Sequence, residues 1–543
     1  VSDDALNSQQ KLTLAACGVA VALVTIDFTA IDVVITPIEK DLDSDLSTIQ
    51  WVVNGYFLTF AALLVTGGRL ADIFGRRRIL LLGIAIFGAM SLLGGLAATD
   101  WWLIAARALQ GAGGALIYPA AMGIAFAVAP PSRKAFAMGL IIGAAGFGTA
   151  IGPALGGLLS ELASWRLVLL FNIPVAALAA AATLRNVEKD SGEEGAHHLD
   201  YGGIALFGGA LALLLLAIDQ SSAWGWGDER TIGLLVLAAA LAVALAFVES
   251  RVDQPLLPRD VIRNRRFVIP ALVGGAMGGP LFIVLFYVPQ FLEKLKGWTT
   301  LAAGAGSLPL TVALAVSALF AGGLYARLGA KAMVAGASLV IGAGALIIAL
   351  VDETTSYAVL VPGLVLMGAG LGFGLSSANT AAVGAVDPSR TAVASGLTYM
   401  TRTMLSTIAL AVATAIYIGV GESRLDENLA AADVSISSEK QAQLEGLLAG
   451  TDSAQEVLDE LPAAAADRVS PAVGDAFLSG LHDVMFLGAG LAALGGLVAL
   501  LFVGGRVEWP HRLRHSTELT GGPSPPTVEY HEAQAQGPSR ETH

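Results

Sequence analysis

The strongest constraint on this chain is a rhythm in its hydropathy. Apolar stretches of about twenty residues recur along nearly the whole sequence, separated by short charged connections. A helix needs about 20 such residues to cross the hydrocarbon core of a bilayer. Candidate spans start near Leu12, Ile49, Ile79, Trp101, Ala135, Trp165, Leu199, Thr231, Phe267, Ala302, Ala332, Ala358, Val393 and Asp483. That makes about fourteen by the length criterion, and an even number puts both ends of the chain on one side. Composition agrees: 55% of residues are hydrophobic and 14% are charged, where a soluble domain carries roughly 25% charged. The expected fold class is an all-α polytopic membrane protein. The first apolar segment, 12–36, is too long for the core of a cleavable signal and is expected to stay as a span.

Charge orients the spans. With the N-terminus in the cytoplasm, the inner connections collect Lys11, Arg69, Arg76 to Arg78, Arg133, Lys134, Arg185, Lys189, Arg251, Arg259, Arg263, Arg265, Arg266, Arg327, Lys331 and Arg390. The outer ones are acidic, as in "EKDLDSD" and "DETTS". The positive-inside rule therefore places both termini in the cytoplasm. The net charge of −13 argues against a nucleic-acid partner. A single cysteine, Cys17, excludes an internal disulfide and a multi-cysteine metal site. No phosphate loop, nucleophile motif or metal cluster stands out, so neither an enzyme nor a cofactor is expected.

Two regions read as non-membrane. Residues 421–481 form a long outer loop with helix signals: Ser438 before "EKQAQLEGLLAG", and Ser470–Pro471 opening "SPAVGDAFLSGL". A small helical cap is expected there. The polar, Pro- and Gly-rich tail, 506–543, is expected to be disordered.

Charged residues inside spans are costly, so each needs a partner or water. The first span holds Asp27 and Asp32, and the fourth holds Arg107. At 1.5 Å per residue, Arg107 lies about 10 Å below the outer surface, Asp27 about 15 Å and Asp32 about 8 Å. Asn54 and Tyr56 fall in the same layer. Five residues apart, the two acids point about 140° from each other. Asp32 shares a polar stripe with Thr25, Thr29 and Thr36, and Asp27 lies on the far side. Asp27, the deeper of the two, must be paired or neutral, which suits a group that takes up and releases a proton. Arg402, approached from the cytoplasmic side, is expected to make another contact.

The chain also repeats itself. "GGRLADIFGRRR" follows the second span and "AGGLYARLGAKA" the tenth. Aligning Gly75 with Gly329 also matches Gly68 with Gly322, Leu70 with Leu324 and Arg77 with Lys331. That is the pattern of two parallel six-helix halves with a substrate site between them.

Here a specific resemblance appears. "GGRLADIFGRRRILLLG" is similar to the signature loop of the major facilitator superfamily. "LIAARALQGAGGA" resembles its fourth-helix motif, "GLIIGAAGFGTAIGPALGGLL" its antiporter motif, and "WRLVLLFNIPV" the start of its sixth helix. "IDFTAIDVVITPI" resembles the first-helix motif of the fourteen-helix drug:proton antiporters. Three departures stand out. Asp32 replaces the usual Asn, with Pro37 one residue late. Ala326 stands where the first half has Asp72. Leu405 and Ser406 replace glycines after Arg402.

The resemblance implies two six-helix bundles, 12–185 and 256–505, joined by two linker helices in 186–255, with a short cytoplasmic segment 1–11 ahead of them. It implies a proton-coupled antiporter exporting amphipathic drugs or toxic compounds across a bacterial cytoplasmic membrane by alternating access. Its partners would be the small amphipathic substrate, protons and membrane lipids. Proton coupling falls to Asp27 and Arg107, and the substrate cavity to Asp32, Thr29, Asn54, Tyr56, Gln110, Asn379 and Arg402. The conformational latch comprises Gly68, Asp72, Gly75 and Arg76, and the antiporter motif Gly148, Gly152, Pro153, Gly156 and Gly157. The alternatives are a dedicated exporter of one natural product or lipid and, from another class, a sensor that transports nothing.

Overall fold

The structure, a computed structural model, describes residues 6–44, 46–190, 200–252, 255–431 and 463–504. All its regular elements are helices. In the first half they are α1 (Ser8–Asp32), α2 (Trp51–Phe74), α3 (Arg76–Gly95), α4 (Asp100–Val128), α5 (Lys134–Leu162) and α6 (Arg166–Asn186). Next come α7 (Tyr201–Trp224) and α8 (Glu229–Glu249). The second half starts with α9 (Arg265–Gln290). The run Leu308–Ile348 follows, broken at Gly329 by a left-handed, non-helical backbone (φ 76°, ψ 169°). Its two arms are α10 (308–328) and α11 (330–348). Then come α12 (Tyr357–Val383), α13 (Thr391–Ala431) and α14 (Ala463–Phe502). Among the described residues thirteen helical runs are long and apolar enough to span a bilayer, and one of them, Ala302–Ile348, contains the break at Gly329. Counting its arms separately gives fourteen spans.

The repeat read from the sequence has a conformational basis. Gly75 (φ 96°) joins α2 to α3 and Gly329 (φ 76°) joins α10 to α11. Both turns need a left-handed residue, which glycine supplies without a Cβ clash. The helices after these turns also pack alike. A Cβ on Gly83 of α3 would press on the Gly113 carbonyl of α4, and one on Gly344 of α11 on the Gly363 carbonyl of α12. A third sign escapes the sequence reading. The tripeptide Pro-Ser-Arg forms a 3-10 turn at Pro131–Arg133, before α5, and again at Pro388–Arg390, before α13.

Within the first half α1 packs on α4, α5 and α6, while α4 packs on α2 and α3. In the second half α9 packs on α12, α13 and α14, and the α10–α11 run on α12 and α14. The halves meet along α2 with α13, α4 with α13, and α5 with α10 and α12. The α7–α8 pair rests through α7 on α2 and α13, beside one of these seams. Cys17 lies free and buried in the first half.

The segment expected to be an outer loop needs correction. α13 runs past Gly421 to Ala431, and α14 starts at Ala463, not near Asp483. Ser470–Pro471 does not open a helix but lies within α14. The apolar face explains this: Val469, Val473, Ala476, Phe477, Leu481 and Val484 are all buried at helical spacing, so the stripe of the span continues outward. Pro471 is exposed and forfeits a single backbone hydrogen bond. The helix expected after Ser438 and the tail 506–543 lie outside the described residues.

Candidate functional site

Five helices of the first half converge on Asp27. Its Oδ2 accepts from Arg107 Nη1 at 2.6 Å. Its Oδ1 accepts from Asn172 Nδ2 at 2.6 Å and from Gln110 Nε2 at 3.0 Å. Ser91 Oγ accepts from the same two amides, at 2.7 Å from Gln110 and 3.3 Å from Asn172. Arg107 Nη1 also donates to Gln110 Oε1 at 2.7 Å, and Arg107 Nε to the Val52 carbonyl at 3.2 Å. The guanidinium sits 4.3 Å from the centre of the Tyr56 ring. All of these side chains are buried, and the Asp27 carboxylate is fully so. Two buried polar atoms here find no partner among the described residues, Arg107 Nη2 and Tyr56 Oη.

The arrangement therefore brings Asp27, Arg107, Gln110 and Tyr56 together, and adds Asn172 and Ser91. Asn172 is a lone amide in an otherwise apolar span, a signal present in "WRLVLLFNIPV". Ser91 has no sequence signal, because a serine in a membrane helix commonly bonds its own backbone. Chemically the cluster is a carboxylate held by one cation and two amides. Removing one partner of a buried ion pair costs about 3–5 kcal/mol.

Asp32 differs in kind. It is the last residue of α1 and is exposed, yet close enough for the charges of Arg107 and Asp27 to act on it. The predicted polar stripe stops there, because the chain leaves the helix at Val33 and Thr36 belongs to a separate short helix, Ile35–Leu42. Thr25 and Thr29 bond backbone carbonyls of α1; Thr29 Oγ1 donates to Thr25 O at 3.0 Å. Both hydroxyls face α5, where a Cβ on Gly148 would overlap Thr25 and one on Gly152 would overlap Thr29. Asn54 is half-buried, two residues beyond the Val52 carbonyl that binds Arg107.

The antiporter-motif glycines serve a contact inside the first half. Gly148, Gly152 and Gly156 lie against α1. Pro153 interrupts the bonding ladder of α5 beside them, and Gly157 is half-buried. The seam with the second half is made by Gly139, Gly143 and Gly146, which face α10. Nine residues separate Gly139 from Gly148, so at about 100° per residue the two glycine runs lie on opposite sides of α5.

The latch residues assemble at one end of the molecule. Asp72 accepts backbone N–H bonds from Val393 at 2.8 Å and Ala392 at 3.2 Å, in the first turn of α13 across the seam. Arg76 donates to Asp72 at 3.0 Å and to the Pro388 carbonyl at 2.6 Å. A Cβ on Gly68 would come within 2.8 Å of Val393 Cα. Gly75 turns the chain so that Asp190, a residue the sequence reading missed, accepts from Arg76 N at 2.7 Å and Arg77 N at 3.2 Å. In the second half Asn379 is half-buried, its Oδ1 without a partner among the described residues, and Arg402 lies 4.1 Å from the centre of the Tyr399 ring.

Comparison with known proteins places this geometry. The model of the Major Facilitator Superfamily matches residues 17–410. The chain belongs to that superfamily. It is 35% identical over 321 residues to the tetracenomycin C resistance and export protein of Streptomyces glaucescens, covering 58% of this chain and 59% of that one. It is 31% identical over 408 residues to the multidrug resistance protein Stp of Mycobacterium tuberculosis, covering 75% and 76%. The proton:xylose symporter XylE shares the fold, with a TM-score of 0.58 at 12% identity, covering 92% of this chain and 96% of that one. This Major Facilitator Superfamily protein is thus a multi-pass membrane protein of a transporter family, with relatives named for antibiotic and multidrug resistance.

Proposed function

We propose that the protein is a proton-coupled antiporter that exports amphipathic, aromatic compounds across a bacterial cytoplasmic membrane, with both termini in the cytoplasm. The observation that carries this reading is the buried Asp27–Arg107 pair with its two amides. With the cytoplasmic side closed, Asp27 and Arg107 are paired. A proton arriving from outside then replaces Arg107 as the partner of Asp27. After the site turns inward the proton leaves, and Arg107 re-pairs with Asp27 before the cytoplasmic side closes again. A total proton driving force of roughly 200 mV supplies about 4.6 kcal/mol per proton, enough for about a thousandfold concentration gradient.

Substrate chemistry is read from the walls. Phe28, Phe57, Tyr56, Phe60, Tyr399 and Tyr118 form a continuous chain of ring contacts from α1 to the second half. On this reading the rings, in contact with one another in the described conformation, part to receive flat apolar rings. Asp32, an exposed acid at the C-terminal end of a helix where the dipole opposes it, supplies a counter-charge for a cationic substituent. The basic loops around Arg76 and Arg133 support the cytoplasmic assignment of that end. On this reading the latch closes the cytoplasmic side in the described conformation.

Inside-out vesicles test the coupling. Adding substrate should evoke proton release, and Asp27→Asn should abolish it while leaving substrate binding measurable. Undiminished uphill export by that variant would remove Asp27 from the coupling. A second reading, a dedicated exporter of one natural product, draws support from the single-compound name of the tetracenomycin C relative. Competition by a chemically mixed panel separates the two: only a polyspecific site is inhibited by unrelated amphipaths.

A further inference from the structure

Arg402 is a charged group inside a span for which the proposed mechanism has no use. It lies within α13, eleven residues past the first residue, so about 16 Å from the latch end. No carboxylate pairs with it among the described residues. Its guanidinium stacks 4.1 Å from the centre of the Tyr399 ring, within hydrogen-bonding reach of the hydroxyls of Tyr399 and Tyr118. Tyr118 belongs to α4, in the other half, and its ring meets Tyr399 at 3.9 Å between centroids. The side chain thus faces the cleft between the halves, not lipid, and it is half-buried there. Gly278 of α9 makes room for its stem, since a Cβ there would lie 2.9 Å from Arg402 Cγ.

A guanidinium carries five N–H donors and a full charge. Two neutral phenols and a ring face satisfy its shape but not its charge. Leaving a cation without a counter-ion in a low-dielectric cleft is expensive, so the position is one where an anionic oxygen gains more than a neutral one. Aromatic rings adjoin it: Tyr399 directly, and Tyr118 and Phe60 through their contacts with Tyr399.

We propose that Arg402 is a specificity-determining residue that receives the acidic oxygen of an aromatic substrate, a carboxylate or an acidic phenol, in place of the Tyr118 hydroxyl. This deepens the export reading and rests on it. The cleft then has two charged poles on opposite halves: Asp32 for cationic substituents and Arg402 for anionic ones. Ligands of either sign are held by the same rings. An acidic ligand also frees Tyr118, which undoes a contact between the halves at mid-depth.

The test uses the purified full chain and a matched pair of fluorescent probes, anthroic acid and aminomethylanthracene, with affinities read by fluorescence titration. Wild type should bind both. Arg402→Gln should weaken anthroic acid by about tenfold or more, the size of one charge-assisted hydrogen bond, and leave the amine within about twofold. Tyr118→Phe, which removes the competing hydroxyl and keeps the ring, should tighten the acid and not the amine. Asp32→Asn should weaken only the amine. Equal loss of both probes in Arg402→Gln, or wild type that binds the amine and not the acid, overturns the proposal while sparing export. Wild type that binds neither probe overturns the export reading and this proposal together.

Discussion

Two seams join the halves at the latch end, and they are built to one plan with one difference. On one side Gly68 of α2 lies against the first turn of α13, at Ala392 and Val393. On the other, Gly322 of α10 lies against the first turn of α5, at Phe136. These are the positions that the internal repeat equates, and each helix being met follows a Pro-Ser-Arg turn. Four residues after Gly68 comes Asp72, whose carboxylate takes two N–H groups of the α13 terminus. Four residues after Gly322 comes Ala326, exposed, and the first turn of α5 has no side-chain cap. Both seams are packed at a glycine, and one of them adds a carboxylate where the other has an exposed alanine. Packing is stiff and short-ranged, whereas a carboxylate on orphan helix N–H groups is strong when docked and easily replaced by water when not. The charged seam is therefore the one suited to opening and closing.

The largest effect is expected from breaking the packing that both seams share. Gly322→Val places a Cβ on the backbone of Phe136, with Phe136 Cα only 2.7 Å away. Overpacking of this kind costs about 1–3 kcal/mol or more, all of it charged to the closed state. Export should fall by about tenfold or more. A cysteine at buried Thr391, in a background where Cys17 is replaced, should react much faster with an impermeant maleimide. Unchanged labelling would mean that the α5–α10 seam does not control closure.

Asp72→Ala should act next in size. It removes the cap of α13 and the partner of Arg76 while leaving the glycine contacts. Loss of a cap costs about 0.5–2 kcal/mol, so the Thr391→Cys labelling rate should rise by about two- to thirtyfold. The converse variant is more telling. Ala326→Asp should give α5 the cap it lacks, slow the cycle by a few-fold through a more stable closed state, and lower the labelling rate. If Ala326→Asp speeds labelling, the asymmetry between the seams is not one of charge.

Much of this was legible in the sequence, for identifiable reasons. Span starts follow from long apolar runs, which no tertiary contact can hide; the exception, α14, starts early because its apolar stripe continues beyond the polar signals at Ser470 and Pro471. Asp27 and Arg107 were placed in one layer by helix rise alone, since charge in a span demands a partner. Ser91 and Asp190 were not legible, because a single polar residue carries no period and its partner is chosen by packing. The two opposed glycine runs of α5 show the same limit. Their spacing says that helices approach closely there, but only the assembled bundle says that one run meets α1 and the other α10.

The smallest expected effect isolates charge from position. Asp41, outside the spans, also pairs with an arginine: its Oδ2 accepts from Arg166 Nη1 at 2.5 Å and from Trp165 Nε1 at 3.1 Å. This clamp stays within the first half and is half-exposed, so it should contribute only about 0.2–1 kcal/mol. The Arg166 and Trp165 hydrogen bonds hold the Asp41 carboxyl below its usual range. A depressed carboxyl stabilises the fold above its unfolded pKa of about 3.9 and loses that contribution as pH falls through the folded value. The melting-temperature difference between wild type and Asp41→Asn should therefore be small and constant from neutral pH down to about 5, and vanish only in stronger acid. The Thr391→Cys labelling rate should not move at all. A change there comparable to that of Asp72→Ala would show that any lost ion pair loosens the bundle, and the special standing of the α2–α13 seam would go with it.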